Sequence, residues 1–384
     1  MKRPSFLLLI FLAGFSCQNV LAQDEDQNFN PDRWQFAGED GDITVDDISY
    51  HFNLDTTAVH PAYCNHGRSR IAIPEYITYE GKNYPVYIIG PLFRYDDELE
   101  EVELHCRMNE MYSFFENCYK LKRVNLPDGI KIMGSQSFKS NQILSLTLPK
   151  NLKVLDKYAI ELCGQLETIE VNDSLEEWRG ASISECARVR EFHFPPCFKL
   201  LATPFGGPWK RLTFEDGDGD ILFKGSHTPE YVKLEELEYL YYGRQTLDVG
   251  WYIPKLKELV IGESVEIIKL PSLEVSDAEG FKVYAKSTSP RPIVLDLGKN
   301  KEDIFAKSTL VVPESTLELY KLTDGWRNFA NIVEGSTPSG INPSKMSQTV
   351  SDRYTLDGRK LTAPQKGINI IRQSDGTVRK KIVR

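Results

Sequence analysis

Three side chains that could hold a metal ion lie close together near the N-terminus, at His60, Cys64 and His66. Histidine and cysteine are common ligands of zinc, and a structural zinc site needs four ligands. No fourth ligand is visible beside these three, which fall in a loop between short strands. We therefore expect no metal at this position, and the sequence predicts no cofactor elsewhere.

The alternating acids Asp216, Asp218 and Asp220 suggest a second kind of site, because aspartates at this spacing begin calcium-binding loops. The calcium template also needs glycine at its sixth position and an acid at its twelfth. This chain has Ile221 and His227 at those two positions. We therefore expect a polar turn between strands rather than a calcium site.

The sequence contains no motif that would carry catalysis. It has no glycine-rich phosphate loop, no Gly-x-Ser-x-Gly elbow and no His-Glu-x-x-His pair. Its six histidines are scattered along the chain. The sequence therefore predicts a protein that is not an enzyme.

The charge is unevenly distributed. The formal net charge is −9, yet residues 353–384 carry nine Lys or Arg against Asp357 and Asp375, so the rest of the chain is strongly acidic. An acidic body repels phosphate groups. We therefore expect no nucleic-acid partner.

The strongest pattern is a short phrase that returns at a nearly fixed period. Residues 121–127 are Leu-Lys-Arg-Val-Asn-Leu-Pro, and residues 143–149 are Ile-Leu-Ser-Leu-Thr-Leu-Pro. Self-similarity of this kind indicates a repeat protein. The phrase starts at Leu99, Leu121, Ile143, Leu166 and Val189, with separations of 22, 22, 23 and 23 residues. Other positions recur in step with it: Ile130, Leu152 and Leu175; Phe138, Ile160 and Ile183; Cys118, Asn141, Cys163 and Cys186.

Each phrase has the alternation of a strand with one buried face, because its fourth and sixth residues are apolar and their neighbours are mostly polar. One unit is too small to fold alone. Burying an aliphatic side chain contributes about 1.5–3 kcal/mol, while ordering the backbone of each residue costs about 1–2 kcal/mol. Stacked units share their buried faces, so the repeats should fold as an array.

The phrase resembles the BspA-like leucine-rich repeats of bacterial surface proteins. The resemblance rests on the proline after the strand, the Phe or Ile in the return half and the Cys before the next Leu, and it covers about two-thirds of the chain. The strand ending at Ile73-Pro74 and the Tyr79-x-Gly81-Lys82-x-Tyr84 hairpin are similar to the family's N-terminal segment. Val312-Pro313, Leu317, Tyr320 and Gly325-Trp326 are similar to its closing segment.

The resemblance implies a strand-rich α/β fold: a leucine-rich-repeat solenoid with an N-terminal β cap, short helical turns and a small C-terminal β tail. It further implies an exported protein of a Bacteroidetes-like bacterium, at the cell surface or outer membrane or released from the cell. Such a protein would act in adhesion by binding a host or bacterial surface protein.

The expected organisation follows the composition along the chain. We assign a signal peptide to 1–22, a flexible leader to 23–42, an N-terminal β cap to 43–85 and the repeat domain to 86–334. The repeat is irregular over 197–236. A linker at 335–350 leads to a β-hairpin tail at 351–384.

The first residues have the features of a secretory signal. Lys2 and Arg3 precede an apolar run at 6–15 that is too short for a membrane span, so we expect no transmembrane segment. Cleavage after Ala22 would make Gln23 the mature N-terminus. The alternative is a lipoprotein acylated on Cys17, although Gly14 and Phe15 fit the lipobox poorly.

The basic tail allows two interpretations. It has strand character, with turn signals at Asp357-Gly358 and Asp375-Gly376. Leu356-Asp357-Gly358-Arg359 and the Lys-rich final strand resemble C-terminal sorting modules of proteins secreted by Bacteroidetes. The alternative is a small structural hairpin whose lysines discourage edge-to-edge pairing.

The seven cysteines do not require disulfides. Cys118, Cys163 and Cys186 fall on one column of the repeat, where a small buried thiol packs like an apolar side chain. Cys64, Cys106 and Cys197 lie off that column, and nothing in the sequence pairs them. We favour packed thiols over bridges.

The alternation within each phrase predicts a surface. The third and fifth residues should point outward, so that stacked strands form a strip two residues wide, and such faces contact ligands in solenoid proteins. The expected outward pairs are Arg123 and Asn125, Ser145 and Thr147, Thr168 and Glu170, Glu191 and His193, Arg211 and Thr213, Tyr239 and Tyr241, and Glu258 and Val260.

The aromatic end of this strip is the expected centre of binding, because aromatic side chains dominate binding hot spots. A glycan stacked on these rings is the alternative to a protein partner, and filling of gaps between irregular repeats is the structural alternative. The candidate binding residues are Arg123, Asn125, Glu170, Glu191, His193, Arg211, Tyr239, Tyr241, Tyr242, Trp251 and Tyr252.

Overall fold

The computed structural model describes residues 26–34, 42–62, 67–225, 232–336 and 338, together with the backbone of four later strands. Those strands are Val350–Tyr354, Lys360–Leu361, Gly367–Gln373 and Val378–Val383. The expected signal peptide, the alternative lipid site at Cys17, and residues Cys64 and His66 lie outside the described residues. No helix in the described part is long and apolar enough to cross a membrane.

The N-terminal region consists of short helices and short strands. Two 3-10 helices, Gln27–Phe29 and Pro31–Arg33, are followed by an antiparallel sheet of Ile43–Val45, Ile48–Phe52 and Val59–Pro61. Strands Tyr76–Tyr79 and Lys82–Pro85 form a hairpin. Its turn has positive φ at both Glu80 and Gly81, which matches the twist of paired strands.

The rest of the described chain, apart from the tail strands, is a solenoid of about ten turns built from parallel strands. One row of strands contains the repeated phrase and is here called the strip row. Strands that pair within this row do so in register. Arg123 lies opposite Glu101, for example, and Ser145 lies opposite Thr168. The strip row runs through Arg70–Ile73, Glu101–Leu104, Arg123–Asn125, Ser145–Thr147, Thr168–Glu170, Glu191–Phe194, Arg211–Phe214, Tyr239–Tyr242, Glu258–Ile261, Lys282–Ala285, Thr309–Val312 and Asn331–Glu334.

Two further rows complete the turns. The second row consists of Glu110–Met111, Ile132–Met133, Val154–Leu155, Glu177–Arg179, Leu200–Ala202 and Leu222–Lys224, and then of Thr246–Asp248, Ile267–Lys269 and Val294–Asp296. The third row consists of Phe115–Glu116, Phe138–Lys139, Ile160–Glu161 and Ile183–Ser184. In the described part the third row ends at Ser184, so the regular repeats have three strands per turn and the later ones two.

The core lies inside these turns and is formed by the recurring apolar positions. Leu121, Ile130 and Phe138 are completely buried. The ring of Phe115 stacks on Phe93 with centroids 5.5 Å apart and tilts against Phe138 at 5.2 Å. Identical positions of successive turns thus pack on one another, which is how an array stabilises units that could not fold singly.

The cysteine column satisfies main-chain carbonyls at the end of each turn. Cys118 donates to Phe93 O at 2.7 Å, and Asn141 donates through Nδ2 to Phe115 O at 3.0 Å. Cys163 and Cys186 each donate to the carbonyl two residues earlier, both at 3.4 Å. Asn and Cys are interchangeable here because both are small donors that reach a buried carbonyl.

The corners between rows need left-handed backbone. One corner has positive φ at Tyr95, Asn117, Ser140, Leu162 and Glu185, and another at Ser113, Gln136, Tyr158 and Gly180. Most of these residues are neither glycine nor asparagine, although the left-handed region disfavours side chains with a Cβ. The repeat imposes this conformation, and the residue types did not reveal it.

The C-terminal end of the solenoid is partly helical. Helix Lys301–Lys307 precedes the strand Thr309–Val312, and helix Leu317–Leu322 and the 3-10 helix Trp326–Asn328 precede the strand Asn331–Glu334. Tyr320 is buried against Trp326 with ring centroids 5.2 Å apart. The four tail strands form an antiparallel sheet in the order Lys360–Leu361, Val350–Tyr354, Gly367–Gln373 and Val378–Val383.

Candidate binding surface

The strip row presents two columns of outward side chains. Register carries the first column from Glu191 through Arg211 and Tyr239 to Glu258 and Lys282. It carries the second from His193 through Thr213, Tyr241 and Val260 to Tyr284 and Val311. Along the solenoid, the outward side chains of both columns change from polar and exposed to mostly apolar and buried. We therefore divide the strip into a polar half and a closed half.

The polar half consists of six outward side chains on the strands Arg123–Asn125, Ser145–Thr147 and Thr168–Glu170, and all six are exposed. Arg123 donates to both oxygens of Glu101, at 3.0 and 2.9 Å, and Thr147 donates to Glu170 at 2.9 Å. Such exposed contacts are weak and exchange readily with other partners. The polar half comprises Arg123, Asn125, Ser145, Thr147, Thr168 and Glu170.

The closed half is a small apolar cluster on the same outward face. Its members are Tyr239, Tyr241, Val260, Tyr284 and Val311, and each is buried. Val260 lies between Tyr241 and Tyr284 on neighbouring strands and is completely buried. This cluster is separate from the main core, and it closes the part of the strip where we expected the binding centre.

Cations cover the two outward tyrosine rings of the strand Tyr239–Tyr242. The guanidinium of Arg211 lies 3.7 Å from the centroid of Tyr239, and Nζ of Lys286 lies 5.0 Å from that of Tyr241. A cation over an aromatic face is attracted by the ring quadrupole. The ring faces that a sugar would need are therefore already occupied.

The expectation of an exposed aromatic surface at residues 239–252 needs correction. Tyr239 and Tyr241 point outward as expected but are only 1% and 2% exposed. Tyr242 and Trp251 are completely buried in the main core, because Tyr242 occupies an inward position of its strand and Trp251 packs against Phe223. Tyr252 alone of the five is half-buried. The gap-filling alternative therefore holds for Tyr242 and Trp251.

A partly buried network joins the closed half to the aspartate-rich turn. The hydroxyl of Tyr241 donates to Asp216 Oδ2, and Nζ of Lys286 donates to Asp216 Oδ2 at 3.0 Å and to Tyr241 Oη at 2.8 Å. Burial, and then the bond to Asp216, raise the pKa of Tyr241 far above its ordinary value, so the phenol stays protonated. Asp216 packs against Gly243 and Gly262, where a Cβ would collide with its backbone at Gly243 and with its side chain at Gly262.

Arg244 contacts the same turn from the side of the core. It is not among the candidate residues that the sequence suggested. It is 1% exposed and donates to Asp218 O at 2.9 Å, to Pro195 O and Phe198 O at 3.2 Å each, and to Pro196 O. Asp220 accepts the Thr246 N–H at 2.7 Å. The Asp216 to Asp220 segment is thus a strap across the irregular part of the solenoid, and it lies within the range 197–236 where the sequence predicts irregular repeats.

The remaining candidate residues lie between the two halves. Glu191 is exposed, and His193 is half-buried with Nε2 2.8 Å from Glu215 Oε1. Arg211 is half-buried and lies 4.0 Å from Glu191. Of the candidate residues on the strip row, Arg123, Asn125, Glu170 and Glu191 are exposed, while His193 and Arg211 are half-buried.

The metal-ligand candidates are not assembled in the described residues. His60 is buried, its Nδ1 lies 3.0 Å from Tyr87 O, and burial lowers its pKa to about 4, so the ring is neutral. Cys64 and His66 lie outside the described part. Within that part, no three His, Cys, Asp or Glu side chains are grouped as a metal site.

A cleft of about 700 Å³ lies beside the polar half, where the loops after the first strip strands meet the leader. Phe29, Arg107, Asn125, Lys131 and Lys150 are among the residues that line it. Its volume is that of a ligand-sized cleft. Lys150 pairs with Asp128 at 2.6 Å and Arg107 with Glu75 at 3.1 Å, so its charges are largely balanced internally.

The parallel strand rows, the recurring apolar core and the polar outward strip together define a leucine-rich-repeat solenoid. Residues 88–203 match, in six copies, the family model of the BspA type leucine rich repeat region, so this part of the chain is a BspA-type repeat region. The predicted resemblance of the repeats and the strand-rich solenoid fold are confirmed, while the N-terminal cap and the sorting role of the tail stay predictions. No curated protein matches the chain.

Several solved structures are similar to the chain at low identity. A leucine-rich repeat protein from Bacteroides ovatus is 18% identical over 78% of this chain and 93% of its own, with a TM-score of 0.35. A leucine rich repeat protein of T. pallidum is 18% identical over 52% and 86%, with a TM-score of 0.34. A leucine rich cell surface protein from Faecalibacterium prausnitzii is 14% identical over 77% and 95%, with a TM-score of 0.27.

Proposed function

We propose that the protein is an exported, non-enzymatic binding protein that engages a protein partner through the polar half of its strip. The observation that supports this most directly is the set of six exposed polar side chains on three successive strands of the strip row, two of which pair in register. A solenoid offers such a face as a broad contact area rather than a pocket. Adhesion to a host or bacterial surface is the role we assign to that contact.

The test places bulk and charge on the polar half without removing a native contact. Ser145 and Thr168 are opposite each other and exposed, so the double variant Ser145→Arg with Thr168→Arg should still fold. The matched control, Asn151→Arg with Ala187→Arg, adds the same charge at exposed positions off the strip. Immobilised wild type and both variants are presented with bacterial and host-cell surface-protein extracts.

We expect one partner to be retained by wild type and control but bound at least tenfold more weakly by the strip variant, a loss of about 1.4 kcal/mol. The affinities are then measured with the purified partner. Equal binding of the partner by wild type, strip variant and control would contradict binding through the polar half.

A glycan partner is the alternative. It would need open aromatic faces, and Arg211 and Lys286 cover those of Tyr239 and Tyr241. Tyr252 is the one candidate ring that is not buried. Binding to a polysaccharide panel that is lost in Tyr252→Ala, with the fold intact, would favour the glycan.

A further inference from the structure

Two cysteines of the repeat column occupy matched positions on neighbouring turns. The third row pairs Ile160 with Ile183 and Glu161 with Ser184. The register continues beyond the strands, since Leu162 and Glu185 share a left-handed backbone with φ of 56° and 53°. The Leu162 N–H also donates to Ser184 O at 3.0 Å. Cys163 and Cys186 come next and therefore lie side by side.

The spacing of the two turns suits a covalent link. Paired strands lie about 4.8 Å apart, which is within the range of about 4.4–6.8 Å between the Cα atoms of a disulfide. Both residues are buried, at 0% and 2% exposure, and both are free thiols in the structure. The neighbouring thiol of Cys186, and then burial, raise the pKa of Cys163 above its ordinary value.

The S–H donors make only long hydrogen bonds, and two of these, at 3.9 Å, run from Cys163 to Phe138 O and from Cys186 to Ile160 O. The thiols donate to Glu161 O and Ser184 O. Glu161 O also accepts the Ser140 N–H, and Ser184 O the Leu162 N–H, both at 3.0 Å. Oxidation would therefore remove only weak hydrogen bonds, because a thiol is a weak donor.

We propose that Cys163 and Cys186 form a disulfide between adjacent turns when the chain folds in the presence of a thiol–disulfide oxidant. The sulfur of one cysteine attacks the oxidant disulfide and gives a mixed disulfide, and the second cysteine displaces the remaining oxidant thiol. One S–S bond breaks and one forms, and the two cysteine protons end on the two released thiols. The bond forms during folding, because burial shields both thiols once the turns close.

The test compares refolding with treatment of the folded chain. The full chain is unfolded under reducing conditions and refolded in oxidised and reduced glutathione, while a reduced, folded sample receives the same mixture. Peptide mapping by mass spectrometry identifies the linked pair. We expect the Cys163–Cys186 peptide after refolding, little of it in the folded sample, and a melting temperature about 5–10 °C higher than that of the reduced protein.

The column itself provides the control. Cys118 occupies the same position but its neighbour on the next turn is Asn141, so Cys118→Ala should retain the link and the thermal shift. Cys163→Ala and Cys186→Ser should both lose them. Absence of the linked peptide in refolded wild type, linkage to another cysteine, or equally fast oxidation of the folded sample would overturn the proposal.

Discussion

At the scale of single residues, the irregular part of the solenoid depends on one buried cation. Arg244 donates to four main-chain carbonyls, three of them at Pro195, Pro196 and Phe198, where the repeated phrase breaks down. Burial lowers the pKa of Arg244, which means that the carbonyl dipoles must stabilise a charge that has lost water. The guanidinium replaces the hydrogen bonds that regular turns make with one another.

We expect Arg244→Met to lower the free energy of unfolding by about 3 kcal/mol or more, because several buried carbonyls lose their donor. Urea unfolding followed by circular dichroism measures the change. The same substitution at Arg188, whose pair with Glu167 at 3.2 Å is exposed, should cost less than about 1 kcal/mol. Similar losses at both positions would contradict this role for Arg244.

Buried phenols make the protein sensitive to alkali. Burial raises the pKa of Tyr239 to about 12 and that of Tyr241, Tyr242 and Tyr320 still further. In the unfolded chain each phenol loses its proton near pH 10. The stability from keeping these groups neutral is therefore fully present below about pH 10 and is lost as pH rises towards the folded-state values.

We predict that the unfolding free energy falls above about pH 10, by up to ~1.4 kcal/mol per pH unit for each buried phenol. Urea unfolding at a series of alkaline pH values gives the slope, and phenolate absorbance shows when the rings ionise. Tyr241→Phe should reduce the slope by about one group. Ionisation of every tyrosine near pH 10 while the fold persists would disprove the explanation.

At the scale of elements, the turns are held by left-handed corners that recur once per repeat. Tyr95, Asn117, Ser140, Leu162 and Glu185 all have positive φ, though only asparagine among them is well suited to it. The corner conformation is fixed by the hydrogen bonds between turns, such as Ser140 N–H to Glu161 O at 3.0 Å. The hydrogen bonds between neighbouring turns therefore override the local backbone preference of these residues.

Leu162→Asn should stabilise the protein by about 1 kcal/mol, since Leu162 is 41% exposed and its side chain disfavours a φ of 56°. Thermal unfolding in parallel with the wild type measures the shift. Leu144→Asn is the matched control, because Leu144 is 58% exposed but has no positive φ. A gain of equal size at Leu144, or none at Leu162, would contradict the corner argument.

At the scale of the whole molecule, the strip changes from open and polar to closed and aromatic along the solenoid. The closed half packs Tyr239, Tyr241, Val260, Tyr284 and Val311 together, while Asp216 and Lys286 bridge its edge. Binding at the polar half would thus use a face that continues into a packed cluster of buried side chains. Two further questions concern the whole molecule: whether it is exported and whether its tail is cleaved. Both decide where this face is presented.

We expect the protein recovered from the producing cell to begin at Gln23, because Val20-Leu21-Ala22 provides the small or branched residues that signal peptidase accepts. Mass spectrometry of both termini provides the test. Retention of Arg384 would support a structural tail, and loss of residues after about Val350 would support a sorting signal. Acylated Cys17 would contradict the soluble product and identify a lipoprotein.

The sequence by itself determined the repeat, its period and the strand that each phrase forms. The reason is that apolar residues, such as Leu99, Leu121, Ile143 and Leu166, recur at a nearly fixed spacing and each must be buried. It also indicated which strip residues face outward, since alternation is a local property. It did not reveal that Tyr239 and Tyr241 are covered, nor that Arg244 supports the strap. Those features depend on contacts between residues about 25 to 70 positions apart, such as Tyr241 with Asp216 and Lys286 with Asp216. Only the stacked turns bring such residues together, so only the tertiary structure decided which part of the strip stays open.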